Sequence, residues 1–540
     1  MTVTFFASMI PRLFSGLPLR LAHWARRILL FRRKEKRLLR PHPGRGASQF
    51  LSGIGRVDEV EEGMNAICSS PEAVGQPQRP EAEALAISAA RLAVGLERSI
   101  NQFVAATDQN LGSIELAVEK ESRELLRQAT EKAAQQKAEA TPPICPVCQH
   151  RLSRLSTDHA RTFESKFGPI TVRRARGYCR RCRKWRFPAD TVLGLEETAG
   201  YSPRVQEMAA LLASKMPVAE ASAVLEHLTG VKLPRASLDR EARRQGQRAQ
   251  RLRQKLDEQA CHSLPRPLQQ ELVLEPYQMI IQIDAWNIRE RDDWGRTGTM
   301  RQAGQEPERW HWVYTGTCFR LDQRGKTAGG RPGISQRGFV ATREGIDALR
   351  EQLHAEALRR GLGQAAGALV IADGAVWIWR LADDRFGQAR QRLDFYHAVQ
   401  HLAAVGRALY GEDKDKLKSW LRPLVKQLKN ESCLKVIKQL EELLADLPAG
   451  SSAQAVAKEV QYLQEHQNRM DYRAGSRRGE PIGSGAIEST CRQTQCRFKR
   501  PGQYWSQKGD EALLCLEIFW RNERWHLLFP HNHRIDPSKN

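Results

Sequence analysis

The sequence predicts a multidomain protein: a helical amino-terminal region, a cysteine-rich unit, a basic three-helix unit, and an α/β domain carrying a helical insertion. Three observations predict it. A chain of 540 residues exceeds what one hydrophobic core usually holds. Two Cys-x-x-Cys pairs stand thirty residues apart in its first half. Beyond residue 265, short apolar runs alternate with helical patterns, and two of the runs end on an aspartate.

Charge narrows the partner. Eighty-five Lys and Arg against 62 Asp and Glu give a formal charge of +23, a field that attracts polyanions, and nucleic acid is the first candidate. The mean hydropathy of −0.55 and the lack of an apolar run of about 18 residues exclude a bundle of transmembrane helices, so no membrane partner is expected. Eleven cysteines, sparse and odd in number, do not form a disulfide scaffold; they fit a reducing cytoplasm with some cysteines on metal.

Residues 1–80 read as a basic arm followed by a linker. The first fifty hold eleven basic side chains and a single acid, Glu35, without the apolar core and small-residue cleavage site of a signal peptide. Residues 81–140 turn to Ala, Leu, Glu, Arg and Gln, with Leu85, Ala89, Leu92, Leu96 and Phe103 near heptad spacing. Long helices follow, either self-associating or packed on their own chain.

Residues 141–195 predict a zinc ribbon. Cys145 and Cys148 form one knuckle, Cys179 and Cys182 the other, and four thiolates close a tetrahedral Zn2+ site with no open position, hence a structural one. Between them Phe163, Phe167, Ile170 and Val172 flank Gly168-Pro169 as a hairpin. Arg173, Arg174, Arg176, Arg181 and Lys184 crowd the second knuckle with Tyr178 and Trp185, a density that suits phosphate contact as well as a solvated face.

Residues 196–264 predict three helices. Ser202-Pro203 starts the first, which breaks at Pro217; the second stops at Gly230; Ser237 is placed to cap a third that bears Arg240, Arg243 and Arg244. The pattern is that of a helix-turn-helix with a basic final helix.

Residues 265–530 carry the candidate chemistry. Met279–Asp284 and Ala368–Asp373 are apolar strands ending on acids. Strands at His311–Leu321 and Arg337–Thr342 lie between them, a helix at about Gly345–Arg360 precedes the second acid, and Arg392–Tyr396 reads as a fifth strand. This order is that of a ribonuclease H-like fold, whose first and fourth strands adjoin, and it predicts Asp284 beside Asp373. Adjacent carboxylates repel unless cations neutralise them, and hard oxygen donors suit Mg2+ or Mn2+ in a two-metal site. Glu488, following the flexible Gly483-Ser-Gly485, is the chosen third acid; Asp292, Asp293, Asp383, Asp384 and Glu480 compete. Arg492, Arg497, Lys499 and Arg500 follow, placed for a phosphate backbone. A charged helical insertion spans about residues 411–469.

The blocks Gln282-Ile-Asp284-Ala-Trp286, Ile371-Ala-Asp373-Gly374, Asp394-Phe-Tyr-His397-Ala-Val-Gln-His401 and Gly483-Ser-Gly485-Ala-Ile-Glu488-Ser489 resemble those of DDE transposases of bacterial insertion sequences, most closely the ISKra group, over about residues 145–525. The resemblance implies that Asp284, Asp373 and Glu488 form the metal-binding catalytic triad, and that the zinc and helical modules recognise terminal inverted repeats. It further implies joining of a freed 3′-hydroxyl to target DNA by a homodimer or larger assembly. A structure-selective nuclease of the same fold and a DNA-binding regulator with an inert nuclease domain are the alternatives. His397 and His401 are possible accessory residues, orienting a neighbour, touching DNA, or ligating zinc with Cys491 and Cys496; Trp377, Trp379 and Trp505 either stack on an unpaired base or pack in the core.

Overall fold

The computed structural model describes residues 110–195, 200–262, 276–291, 295–330, 332–506 and 509–530, with six positions between 94 and 101. The chain divides into units 1–78 and 79–540, and every described residue belongs to the second. The expected basic arm and linker and the periodic positions Leu85 to Phe103 lie outside the described residues, apart from those six positions. Among the described residues no helix is long and apolar enough to cross a membrane.

Helix α1 (Leu111–Glu139) starts where the Asn110 side chain accepts from the Ser113 N–H. It docks on an antiparallel three-stranded sheet of β1 (Ser153–Ser165), β2 (Gly168–Cys179) and β3 (Lys184–Arg186). Strand β3 covers only the end of β2, leaving the rest of that edge unpaired. Glu131 and Gln135, one helical turn apart on α1, accept from the N–H groups of Thr171 and Arg173 at 2.7 and 2.8 Å and so complete the edge. Phe163 faces Ile170 across the expected hairpin, and both are buried with Val172.

Helices α2 (Pro203–Lys215), α3 (Val218–Thr229) and α4 (Arg235–His262) follow. The Ser202 cap accepts from Val205 N–H at 3.4 Å, and Gly230 closes α3 in the left-handed region with φ 66°. Ser237 is not the cap of α4, which begins two residues earlier, directly after Pro234. Nor do these helices form a separate module. Val205, Ala209, Leu225, Leu238 and Ala242 share one core with Leu513, Leu514 and Phe519 of α12 (Asp510–Arg521). The approach of α4 to α12 is tight because position 246 is glycine: a Cβ there would meet the Ala512 carbonyl oxygen at 2.4 Å.

The larger sheet is mixed and five-stranded, in the order β8–β7–β4–β5–β6, with β4 (Gln278–Glu290), β5 (Arg309–Arg320), β6 (Gly338–Thr342), β7 (Gly367–Ala372) and β8 (Arg390–Leu393). The first and fourth of these strands adjoin, in parallel, as their order predicts. Alternation along β4 sends Met279, Ile281 and Ile283 to one face, under α5 (Ile346–Arg359), α6 (Val376–Arg385) and α7 (Phe395–Tyr410), and Trp286 and Ile288 to the other. The insertion is three helices, α8 (Lys414–Asn430), α9 (Cys433–Ala445) and α10 (Ser451–Glu465), whose Leu428, Val436, Leu440, Val456 and Val460 extend the first of these cores. The expected fifth strand ends sooner than predicted: Asp394 caps α7, so Phe395 and Tyr396 are helical. Helix α11 (Gly485–Phe498) lies on the face opposite the insertion, Ala486 packing on Ile280 and Ile371.

Because the contact between α4 and α12 admits no side chain at position 246, Gly246→Val is expected to lower the unfolding free energy by about 1–3 kcal/mol, read as a lower denaturation midpoint in urea.

Candidate functional site

Two sites emerge. In the first, the sulfur atoms of Cys145, Cys148, Cys179 and Cys182 all lie within 4.8 Å of one another, with Cys145 to Cys182 at 3.9 Å and Cys148 to Cys179 at 3.4 Å. Tetrahedral sulfurs about 2.3 Å from zinc stand about 3.8 Å apart, so the cluster is compatible with a structural zinc site. Each knuckle ends on a non-glycine residue in the left-handed region, Gln149 at φ 60° and Arg183 at φ 53°, a turn that points both sulfurs inward. Burial raises the Cys145 thiol, but the N–H groups of Cys148 and Val147 and the sulfurs of Cys148 and Cys179 together lower it, while Cys182 in the same cluster is pushed up, so the four sulfurs share their protons as one group.

Around this site the basic residues separate. Arg181 and Lys184 are exposed, Arg173 is exposed and paired with Asp158 at 2.8 Å, and Arg176 lies over the Trp185 ring at 4.2 Å. Arg174 corrects the expectation: it is buried and its NH1 donates to both oxygens of Asp190, at 2.5 and 2.6 Å, which makes it a core ion pair instead of a phosphate contact. On α4, Arg240 is exposed, but Arg243 is held by Asp239 and Ser506, and Arg244 by Glu241 and Gln206. The interior side of that helix takes up two of the three arginines assigned to DNA.

The second site is built on β4 and β7. Their parallel register ends at Gln282 opposite Ile371, and continuing it two residues brings Asp284 alongside Asp373, on strands about 4.8 Å apart. Asp284 is not at a strand tip: β4 runs on to Glu290 with β5 as partner, and it is β7 that stops. Glu488 comes from the first turn of α11, where an acid is favoured by the helix dipole; its oxygens lie 3.5 Å from Ser484 Oγ and 3.5 Å from the Arg492 guanidinium. Burial raises the Asp284 carboxyl above the usual carboxylate range, and the charges of Asp373 and Glu488 push it further, against the Ala285 N–H that favours ionisation. Asp284 thus feels the other two acids, yet among the described residues the four cysteines alone gather three or more His, Cys, Asp or Glu ligand atoms within 4.8 Å.

Several residues that position these acids carried no role in the sequence reading. Gln282, buried in β4, donates to Gly483 O at 3.2 Å and accepts from Ile487 N–H at 3.0 Å, pinning the start of α11 to the sheet. Asp394, also buried, accepts from His397 N–H at 2.7 Å through one oxygen and from Ser484 N–H through the other. Fully buried Arg392 binds Asp471 at 2.6 Å, Glu480 at 2.7 Å and Pro481 O at 3.0 Å. From the opposite face Tyr462 donates to Asp373 O at 2.8 Å, and His466 Nε2 lies 3.1 Å from Gly374 O. Gly374 sits at φ 96°, and a Cβ there would lie 2.0 Å from the Tyr462 hydroxyl. A polar residue inside an otherwise apolar strand, as Gln282 is in β4, was the available signal; Arg392, in the polar run Arg390-Gln-Arg392, carried none.

The competing acids are occupied or out of view. Arg390, Arg392 and Arg478 surround Glu480; Asp383 accepts from Gln391, and Asp384 pairs with Arg350; Asp292 and Asp293 lie outside the described residues. His397 and His401 face each other with Nε2 atoms 3.2 Å apart, and His401 Nδ1 reaches Glu459 at 2.5 Å and stacks on Tyr462, so the pair joins the insertion and not Cys491 or Cys496. Cys491 is buried against Asp284, which with burial drives its thiol upward. Arg497 is a second correction: buried, it donates to Ala213 O at 3.1 and 2.8 Å and lies over Trp505, with desolvation lowering it to about 10. Arg500 pairs with Glu220 at 2.9 Å, whereas Arg492 and Lys499 are exposed. Trp379 and Trp505 are buried and Trp377 packs edge-on against Tyr314. No protein-family model matches the chain, and no curated protein matches it.

Cys182→Ser is expected to reduce bound zinc from one ion per chain to near none and to expose residues 141–190 to proteolysis, checked by metal analysis and limited digestion. Burial would raise Glu480, but hydrogen bonds from Arg390, Arg478 and Arg392 hold it at about 2, below its unfolded value of 4.5. Its stabilisation is therefore complete above pH 4.5 and lost as pH falls towards 2. Arg392→Ala, which strands Glu480 and Asp471, is expected to cost about 3–5 kcal/mol by chemical denaturation at pH 7 and to flatten that acid limb.

Proposed function

We propose that this chain is a DNA transposase of an insertion sequence, with a ribonuclease H-like catalytic domain. In this reading it cleaves the element's terminal inverted repeats and joins the freed 3′-hydroxyl to target DNA, acting as a dimer or larger assembly. The observation that supports the reading is the register that sets Asp284 of β4 alongside Asp373 just past the end of β7, with the charges of Asp373 and of Glu488 in the first turn of α11 both making Asp284 harder to ionise. A half-buried acid made harder to ionise by two others calls for positive charge, and an all-oxygen donor set would suit Mg2+ or Mn2+. Two such ions held there would supply an activated oxygen nucleophile and stabilise the leaving oxygen.

The chain's own residues supply position. In-line displacement at phosphorus asks little covalent chemistry of a protein and much alignment. Gln282, Asp394 and Tyr462 fix the backbone on which the three acids stand, and exposed Arg492 and Lys499 on and just beyond α11 offer charge to the phosphates beside them. Zinc in the ribbon would hold exposed Arg173, Arg181 and Lys184 on a rigid hairpin for the same backbone.

With purified protein and DNA carrying the element ends in Mg2+, Asp373→Asn is expected to reduce cleavage and strand transfer to background while leaving DNA affinity within about threefold. Unchanged cleavage by Asp373→Asn overturns the assignment. Cleavage by the wild type without joined products identifies a nuclease, and metal-independent binding without cleavage identifies a regulator.

A further inference from the structure

Beyond Asp284 the β4–β5 hairpin continues past the end of β7, and its two faces differ. Trp286, Ile288 and Glu290 are buried beneath the carboxy-terminal helices. On the other face Arg289 pairs with Trp310 and Asn287 with Trp312, and these two indoles are 54% and 52% exposed, in a chain whose other described tryptophans are more covered. An exposed tryptophan is uncommon; two on alternate positions of one strand form a surface. Side chains two residues apart stand about 6.8 Å from each other, close to twice the spacing of stacked bases.

The surroundings are cationic. The Arg289 guanidinium lies 5.0 Å from the centre of the Trp310 ring and the Lys499 ammonium 5.5 Å from it, while Lys499 Nζ also donates to Asn287 Oδ1 at 2.9 Å. Lys499 is the residue that ends α11, so it reaches around β4 from the face that carries the acids. Glu488, Arg492 and Lys499 are spaced by four and seven residues, along one stripe of α11 and its cap, and about 16 Å of helix separates the acid from the lysine. A basic stripe therefore leads from the three carboxylates to the two indoles. An apolar protein partner would not be matched by this rim, but a polyanion with flat, unpaired bases would.

We propose that Trp310 and Trp312 form a platform for an unpaired DNA strand: a base stacks on Trp312, and Trp310 with its bound cations receives the adjoining sugar-phosphate. The inference rests on the reading of the chain as a DNA enzyme and adds a single-strand site to it. The platform lies on the sheet face opposite the carboxylates, so the strand it holds is one drawn around the hairpin edge and away from the acids.

The test uses full-length, zinc-loaded protein without Mg2+ and a fluorescently labelled oligothymidylate. Binding is expected to quench tryptophan emission, and Trp312→Ala to weaken oligothymidylate binding about tenfold, with Trp312→Phe restoring most of it and duplex affinity changing less than about twofold. Equal single-strand affinity for wild type and Trp312→Ala overturns the proposal, as does an equal loss on duplex. A change in sedimenting mass in place of a change in affinity also overturns it and assigns the indoles to a contact between copies. Asp373→Asn separates the two readings: it is expected to keep the Trp312-dependent binding, and a result in which it still cuts DNA ends the transposase reading without touching the platform.

Discussion

A guanidinium removed from water must be neutralised where it stands, and the architecture around the acids depends on how Arg392 is. Its side chain has 0% exposure and is satisfied by Asp471, Glu480 and a backbone carbonyl, all from the segment that returns from the helical insertion. Arg390 and Arg478 close the network from outside. Position 475 must be glycine for this to fit, since a Cβ would fall 2.3 Å from the Arg392 guanidinium. The network fixes residues 471–481 against β8, and that in turn fixes the next few residues, Gly483 and Ser484, within reach of Gln282 and Asp394. Glu488 therefore occupies its place because of an ion pair formed nearly a hundred residues earlier in the chain.

The insertion acts on the same site from behind. Tyr462 is sandwiched between His401, at 3.7 Å, and His466, at 4.4 Å, with its hydroxyl on the Asp373 carbonyl. His401 is held by Glu459, and burial lowers its affinity for a proton, against the pull of that carboxylate. The turn after β7 is thus clamped by side chains from α10, while Gln282 and Asp394 clamp the start of α11 on the other face. Contacts on both faces of the sheet hold the segments that carry Asp373 and Glu488, so the placement of these acids is a property of the whole fold and not of any one strand.

Much of this was legible in the sequence, because it is local. The two Cys-x-x-Cys knuckles, the Phe163–Val172 hairpin and the strand-then-acid pattern at residue 373, though not at residue 284, where the strand continues through the acid to Glu290, are written in consecutive residues. So is the adjacency of β4 and β7, once the order of elements is known. What was hidden depends on partners distant in sequence. Arg174 and Arg497 look like their exposed neighbours until Asp190 and the Ala213 carbonyl are seen beside them. The three helices at 203–262 have the caps of an independent unit, but Gly246 against Ala512 joins them to a helix more than two hundred residues later. The strand expected over Arg392–Tyr396 stops at Leu393: an aspartate followed by two aromatics reads equally as strand or as the cap of a helix, and only the His397 N–H decides.

The charge distribution then acquires a physical reading. A protein with a formal charge of +23 would repel divalent cations if that charge were spread evenly. It is not: Arg174, Arg392 and Arg497 are spent inside the fold on internal partners, whereas Arg181, Lys184, Arg240, Arg492 and Lys499 remain at the surface. Asp284 and Asp373 lie side by side where β7 stops, and partial burial together with the charges of Asp373 and Glu488 raises the Asp284 carboxyl. Burial and the neighbouring acids disfavour the charged form of Asp284, while cations left at the surface, such as Arg492 at 3.5 Å from Glu488, favour ionised acids beside it, so this end of the sheet balances two opposed electrostatic demands.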